Sequence, residues 1–162
     1  MRLTAFTDYS LRVLIFLATD PDRRATIREI ADTFGISQSH LMKVAHLLGR
    51  AGLLANVRGK GGGLELARAP RSINIGGVVR ATEGAPMPAE CFDRENGRCV
   101  ITPVCTLRGV LREAVKSFYA VLDNYTLEDL VHNRVALAEL LFASEATQPR
   151  RTILRKAARH VG

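Results

Sequence analysis

The sequence predicts a mainly α-helical protein: an N-terminal winged helix-turn-helix with a two-stranded wing, then a cysteine-rich cluster loop and a long dimerisation helix. Three observations point there. Two short amphipathic segments meet at Phe34-Gly35-Ile36-Ser37, a glycine-rich, positively charged hairpin follows at residues 57–63, and an apolar stripe at helical spacing runs from Thr106 to Leu122. Helix, tight turn, helix and wing is the order of a DNA-reading head, whose second helix enters the major groove. Helix-turn-helix pairs also occur in bundles that touch no DNA, and it is the wing that tilts the reading towards DNA.

The first helix is expected over Thr7–Thr19, with Thr7 as N-cap, Asp8 near the positive end of the helix dipole, and Leu11, Leu14, Ile15 and Ala18 on one stripe. Pro21 and its charged neighbours end it. Thr26-Ile27-Arg28-Glu29 is a capping box, in which hydroxyl and carboxylate each satisfy a free amide of the other residue. It opens a helix on Ile27, Ile30, Ala31 and Phe34 that Gly35 closes. Ser37 is placed to cap the next helix, on Leu41, Val44, Ala45 and Leu48, with Gly52 as the stop. Leu53–Arg58 and Leu64–Arg68 read as strands flanking the glycine-rich tip. Arg58 and Lys60 sit where they can reach phosphate or the narrow minor groove; a solvated hairpin tip is the plain alternative. A nucleotide-binding loop is excluded by order, since its Lys must be followed by Ser or Thr and a helix.

Ile75–Glu83 is expected as a short helix that completes a reading head over residues 1–83. Residues 84–105 form a stiff linker, Gly84 to Pro88, and the cysteine loop. Residues 106–142 carry the long helix, with Leu107, Val110, Leu111, Ala114, Val115, Phe118, Val121 and Leu122 on its stripe, and a last helix capped by Thr126 that runs from Leu127 to Leu141. So long a stripe in so small a chain suits packing on a second copy, with packing on its own reading head as the intramolecular alternative. Residues 143–162 are expected to be a basic, disordered tail with weak non-specific affinity for DNA.

All three cysteines fall in one stretch, Cys91-FDRENGR-Cys99-VITPV-Cys105. Thiolates gathered in a polar loop suit one soft metal centre, whereas three unrelated cysteines, or a disulfide and a spare thiol, fit the odd count less well. Gaps of seven and five residues are wider than zinc knuckles use, so an iron-sulfur cluster fits better, most simply 4Fe-4S, with 2Fe-2S as an alternative. Three thiols leave a fourth ligand to another residue type. The four histidines, His40, His46, His132 and His160, cluster neither with each other nor with the thiols, and none is assigned to the metal. No Ser-His-Asp or Cys-His pairing is visible, which argues against an enzyme.

Net charge is +7, unevenly spread: ten basic against six acidic side chains in residues 1–70, eight against nine in 71–143, and five against one in 144–162. Basic ends around a balanced middle suit a polyanionic partner. The longest apolar run, Val13 to Ala18, is too short for a membrane span, and the expectation is a cytoplasmic protein with reduced thiols.

Residues 1–12, the wing Val57-Arg58-Gly59-Lys60-Gly61-Gly62-Gly63, the segment Cys99–Cys105 and the run Leu122-Asp123-Asn124-Tyr125-Thr126-Leu127-Glu128-Asp129-Leu130-Val131 together resemble the bacterial iron-sulfur winged-helix regulators, and within them the nitric-oxide-sensing repressors. The resemblance spans nearly everything from Met1 to Phe142; Cys91, after a longer gap than in some relatives, has the least secure register. It implies a homodimer in which Cys91, Cys99 and Cys105 of one subunit hold the cluster and Asp8 of the other completes it. Nitric oxide would be the signal, and the holo dimer would bind a pseudopalindromic operator in double-stranded DNA. Base reading then falls to Gln38, Ser39, His40 and Lys43 at the start of the second helix, His40 and Lys43 being open to a merely solvated role. A regulator of iron-sulfur or redox status with another cluster, zinc or bare redox thiols is the alternative, and a small electron carrier a remoter one.

Overall fold

A computed structural model describes residues 3–84, 88–93 and 97–147. The linker residues 85–87 and residues 148–162 therefore lie outside the described residues, whereas residues 143–147, expected as the start of a disordered tail, continue the last helix. The chain folds as α1 (Ala5–Thr19), α2 (Ile27–Phe34), α3 (Gln38–Arg50), β1 (Leu54–Val57), β2 (Gly63–Leu66), α4 (Ile75–Glu83), α5 (Thr106–Asp123), α6 (Leu127–Leu130) and α7 (Arg134–Thr147).

α1 is the hub, packing on α3, α4, α6, α7 and β2. It begins earlier than Thr7. Thr4 is the N-cap and accepts from the Thr7 amide, while Thr7 is fully buried and donates its hydroxyl to Thr82 Oγ1 at 2.8 Å. Both threonines offer a capping oxygen; Thr4 prevails because its backbone amide also meets Glu83 Oε1 at the end of α4, at 2.7 Å. Nor is α1 a one-faced helix. Besides Leu14 and Ala18, it buries Val13, Phe16 and Leu17, since elements cover it on several sides.

The capping box at Thr26 and Glu29 forms as the sequence predicts, and Gly35 closes α2 in the left-handed conformation at φ 63°. Ser37 caps α3 through the His40 amide. Leu41, Val44 and Leu48 bury the inner face of α3 against α1 and α2. β1 and β2 pair antiparallel from Leu54↔Leu66 to Val57↔Gly63, shorter than expected by one or two residues at the outer ends. An isolated bridge between Ala25 and Leu64 ties this wing to the α1–α2 loop.

α4 matches its predicted span, Ile75–Glu83, capped by Asn74. It joins the reading head to α5. Arg80 grips Asp123 with two hydrogen bonds of 2.6 and 2.5 Å, and its guanidinium lies 4.6 Å from the centroid of the buried Tyr119 ring. The Arg80 hydrogen bonds hold the Asp123 carboxyl below the usual carboxylate range. Residues 73–75 also pair with the Asp123–Leu127 segment, with Leu127 N donating to Ile73 O at 2.8 Å.

The single last helix expected after Thr126 is two. Thr126 and Asp129 form a capping box on the one-turn α6, the chain turns at residues 131–133, and α7 starts at Arg134. Packing explains the break. Leu127 and Val131 are fully buried, and a turn after them lets α7 run back along α1 and α2, where Phe142 meets Phe16 edge to face at 5.2 Å.

Candidate metal centre and nucleic-acid interface

The three cysteines are free thiols, all half-buried. Cys91 lies in the short 3-10 turn Glu90–Phe92; Cys105 directly follows a second one, Thr102–Val104, and is the N-cap of α5. Pro103 sets the second turn, and Cys105 stands at the N-terminal end of the 18-residue α5. Among the described residues no group of three or more His, Cys, Asp or Glu side chains stands together as metal ligands would.

The surroundings nonetheless suit an anionic metal group. Among the described residues Arg108 Nε is the buried side-chain nitrogen with no hydrogen-bond partner. Arg108 stands in the first turn of α5, and its guanidinium lies 5.9 Å from the centroid of Phe92, the neighbour of Cys91. A buried, unsatisfied cationic donor is costly unless an acceptor meets it, and thiolate sulfurs or a cluster they hold are such acceptors. The donor set fits: three soft sulfurs on one short loop beside a guanidinium and a helix N-terminus.

Asp8 sits in the first turn of α1, partly exposed, with Arg12 Nη2 at 2.8 Å and Nε at 3.1 Å from its two oxygens. With Leu3, Tyr9, Phe34 and Gly35 it lines an open cleft. The next residue, Tyr9, puts its ring 6.2 Å from that of His40 in the first turn of α3. The first turns of α1 and α3 are thus in side-chain contact.

Gln38, Ser39, His40 and Lys43 are all exposed on α3, opposite its buried face, and Arg58 and Lys60 are exposed at the hairpin tip. The outward stripe runs farther than the sequence reading took it. His46 and Arg50 continue it at helical spacing from Ser39 and Lys43, a signal available from the 3.6-residue period alone. An open groove separates the stripe from the wing, lined by His46, Gly49 and Arg50 on one side and Asn56, Val57 and Gly59 on the other. A basic outer stripe, a groove and a glycine-tipped basic hairpin form a surface on which a duplex can lay a major groove and the adjoining backbone.

The second large exposed feature is apolar. Val100, Ile101, Val104, Leu107 and Val110 are all exposed along the cysteine loop and the start of α5, and Val121 continues the α5 face. The stripe predicted for α5 therefore divides: Val115, Phe118 and Leu122 pack on the protein's own core, while Leu107 and Val110 do not.

The fold is similar to that of solved regulators. The fold matches T. potens IscR with a TM-score of 0.67 and 26% identity over 93% of each chain. It matches the global cysteine regulator CymR of B. subtilis with a TM-score of 0.62 and 31% identity over 81% of this chain and 96% of that one. In sequence, the HTH-type transcriptional regulator NsrR of Bacillus subtilis (strain 168) is 51% identical over 146 residues, 90% of this chain and all of that protein. NsrR of Halalkalibacterium halodurans is 46% identical over 142 residues, 87% of this chain and 97% of the relative. Residues 3–133 match the Rrf2 model, described as iron-dependent transcriptional regulator, so the winged head, the cysteine loop and the long helix all lie inside the match and the chain belongs to the Rrf2 family of transcriptional regulators.

Proposed function

We propose that this winged-helix regulator is a homodimeric repressor that binds operator DNA and is released by nitric oxide through an iron-sulfur cluster. The observation that carries the reading is the near end-to-end match to proteins named NsrR, at 45–51% identity, on a chain whose three cysteines fall in one stretch near the buried, unpartnered Arg108 Nε. The protein works by binding, not by catalysis.

In this reading Cys91, Cys99 and Cys105 hold the cluster and the partner subunit's Asp8 completes its ligand set. A cluster bound there supplies iron that nitric oxide attacks. Everything else is the work of the chain. The exposed apolar face of Leu107 and Val110 seats the second α5, because leaving it in water forfeits the burial that drives association. Asp8 is then tied to the other protomer's loop instead of to Arg12, which fixes α1 of each subunit against its partner. Since α1 packs on α3, and Tyr9 touches His40, the tie sets the orientation and separation of the two reading helices. These must stand about 34 Å apart to enter successive major grooves. A carboxylate is a harder and weaker ligand for cluster iron than thiolate, so the Asp8 corner is where the tie is most readily lost. On release Asp8 returns to Arg12 and the heads lose their set spacing.

The test is anaerobic preparation followed by titration with nitric oxide, with iron and sulfide content, cluster absorbance and operator binding followed together. Absorbance and affinity are expected to fall in parallel, and Cys99→Ser and Cys105→Ser to give folded, colourless protein without operator binding. Cluster-loaded protein that keeps its operator affinity after nitrosylation would overturn the reading. The similarity to T. potens IscR and to CymR favours a second one, a regulator of iron-sulfur or redox status. It predicts two iron ions or none per protomer and no response to nitric oxide.

A further inference from the structure

Met42 has no place in the reading so far. It is 57% exposed, and it is the one large hydrophobic side chain that the described residues 3–84 leave exposed; every other one lies at Val100 or beyond, most of them on the loop and α5 surface that a second protomer would cover. The reading head otherwise keeps its apolar side chains in or against the core. The exception falls on the outward stripe of α3, one turn beyond Ser39, one turn before His46 and next to Lys43. A long apolar side chain held in water amid polar and basic neighbours calls for an apolar partner that arrives with the ligand. In a major groove the apolar feature on offer is the C5 methyl group of thymine; the remaining base edges present donors and acceptors. Met is unbranched and adaptable, and so suits a small methyl target at the floor of a groove.

We infer that Met42 is a specificity-determining residue that reads a thymine methyl group in each half-site of the operator. The inference rests on the operator-binding reading above and adds a defined base to it. The competing role, a wall residue of the groove between α3 and the wing, is open to the same side chain, since Met42 lines that groove. That role makes no demand on any methyl group of the DNA.

The experiment starts from a duplex selected by the wild-type, anaerobically prepared protein out of a random library. Each thymine is then replaced singly by deoxyuridine, which removes the methyl group and leaves every hydrogen-bonding atom. Burying one methylene-sized group contributes about 0.8 kcal/mol, so one replacement should weaken wild-type binding about four-fold, and the symmetric pair about sixteen-fold. Met42→Ala, at an exposed helical position where Ala is well tolerated, should bind the thymine duplex more weakly and be indifferent to the same replacement. Met42→Leu should restore the dependence. Wild-type affinity that ignores every replacement, or a Met42→Ala protein that keeps the wild-type methyl dependence, overturns the inference. Failure of the wild type to select any sequence sinks the operator reading instead, a distinguishable outcome.

Discussion

Replacing Gly62 by Ala tests the wing with a single methyl group. A Cβ at this position would sit inside van der Waals contact of the Val57 carbonyl oxygen and 2.9 Å from the Gly59 carbonyl oxygen. Both obstacles are backbone, so neither can swing away as a side chain would, and the hairpin must open at its tip. Overpacking of this kind costs about 1–3 kcal/mol. The strain falls on the Val57↔Gly63 rung and on the Gly62 amide's bond to Gly59 O, remote from the buried α1, α3 and α4 contacts, so the loss is local opening with a change of only a few degrees in Tm.

DNA binding responds differently. If the opened tip withdraws Arg58 and Lys60 from phosphate in both protomers, four neutralised phosphates are lost and the slope of log Kobs against log salt flattens by about 3.6. Between 50 and 200 mM salt that difference amounts to roughly two decades of affinity. Fluorescence anisotropy with a labelled operator over that range measures it, with Arg58→Ala/Lys60→Ala as the charge-only comparison. Gly61→Asn is the control: Gly61 has φ 77° with nothing within 4 Å of an added Cβ, and Asn tolerates the left-handed region, so near-wild-type binding is expected. Wild-type affinity and slope in both Gly62→Ala and the double variant would refute the assignment of the wing to phosphate contact.

Two further outcomes follow from the surfaces and charges described. Val110→Glu puts a charge in the centre of the exposed α5 face and should yield folded monomer by sedimentation velocity, with operator affinity lost; an unchanged dimer would move the association surface elsewhere. Asp123→Asn keeps the shape of the Arg80 clamp and removes its charge. Because Arg80 depresses the Asp123 carboxyl in the folded state, the clamp's stabilisation is present above the ordinary carboxylate value of about 4 and is lost as pH falls through the lower folded-state value. The Tm gap between wild type and Asp123→Asn should therefore be constant near neutrality and close below about pH 4; a gap that persists at lower pH would show that the carboxylate's charge is not what the clamp uses.

The reading head was largely legible because its signals are local. A capping box, a left-handed glycine after Phe34, a serine cap and a glycine-tipped hairpin each act within four or five residues, and each appears in the structure where the sequence puts it. Errors arose where tertiary packing decides between local equals. Thr4 and Thr7 are comparable caps until the Glu83 carboxylate and the Thr82 hydroxyl, some eighty residues away, choose between them. The apolar run from Leu127 to Leu141 reads as one helix, and only the burial of Leu127 and Val131 under α1 forces the turn that divides it.

The candidate metal centre divides along the same line. Thiol clustering is a sequence property, so Cys91, Cys99 and Cys105 announce themselves. Asp8 does not: an acidic residue in a first turn with Arg four positions on is what helix electrostatics alone would favour, and the structure shows that ion pair. The ligand role that the proposal gives Asp8 would depend on a second copy of the chain, so nothing local could separate it from a dipole-stabilising carboxylate. Arg108 is the converse. In sequence it is one more basic residue on a helix, yet its side chain is half-buried near Phe92 with a buried Nε that has no hydrogen-bond partner among the described residues. Asp8 is paired within its own protomer whereas the Arg108 Nε is not, so under the cluster reading proposed above a loaded loop would offer Arg108 an acceptor, and loss of the cluster would return Asp8 to Arg12.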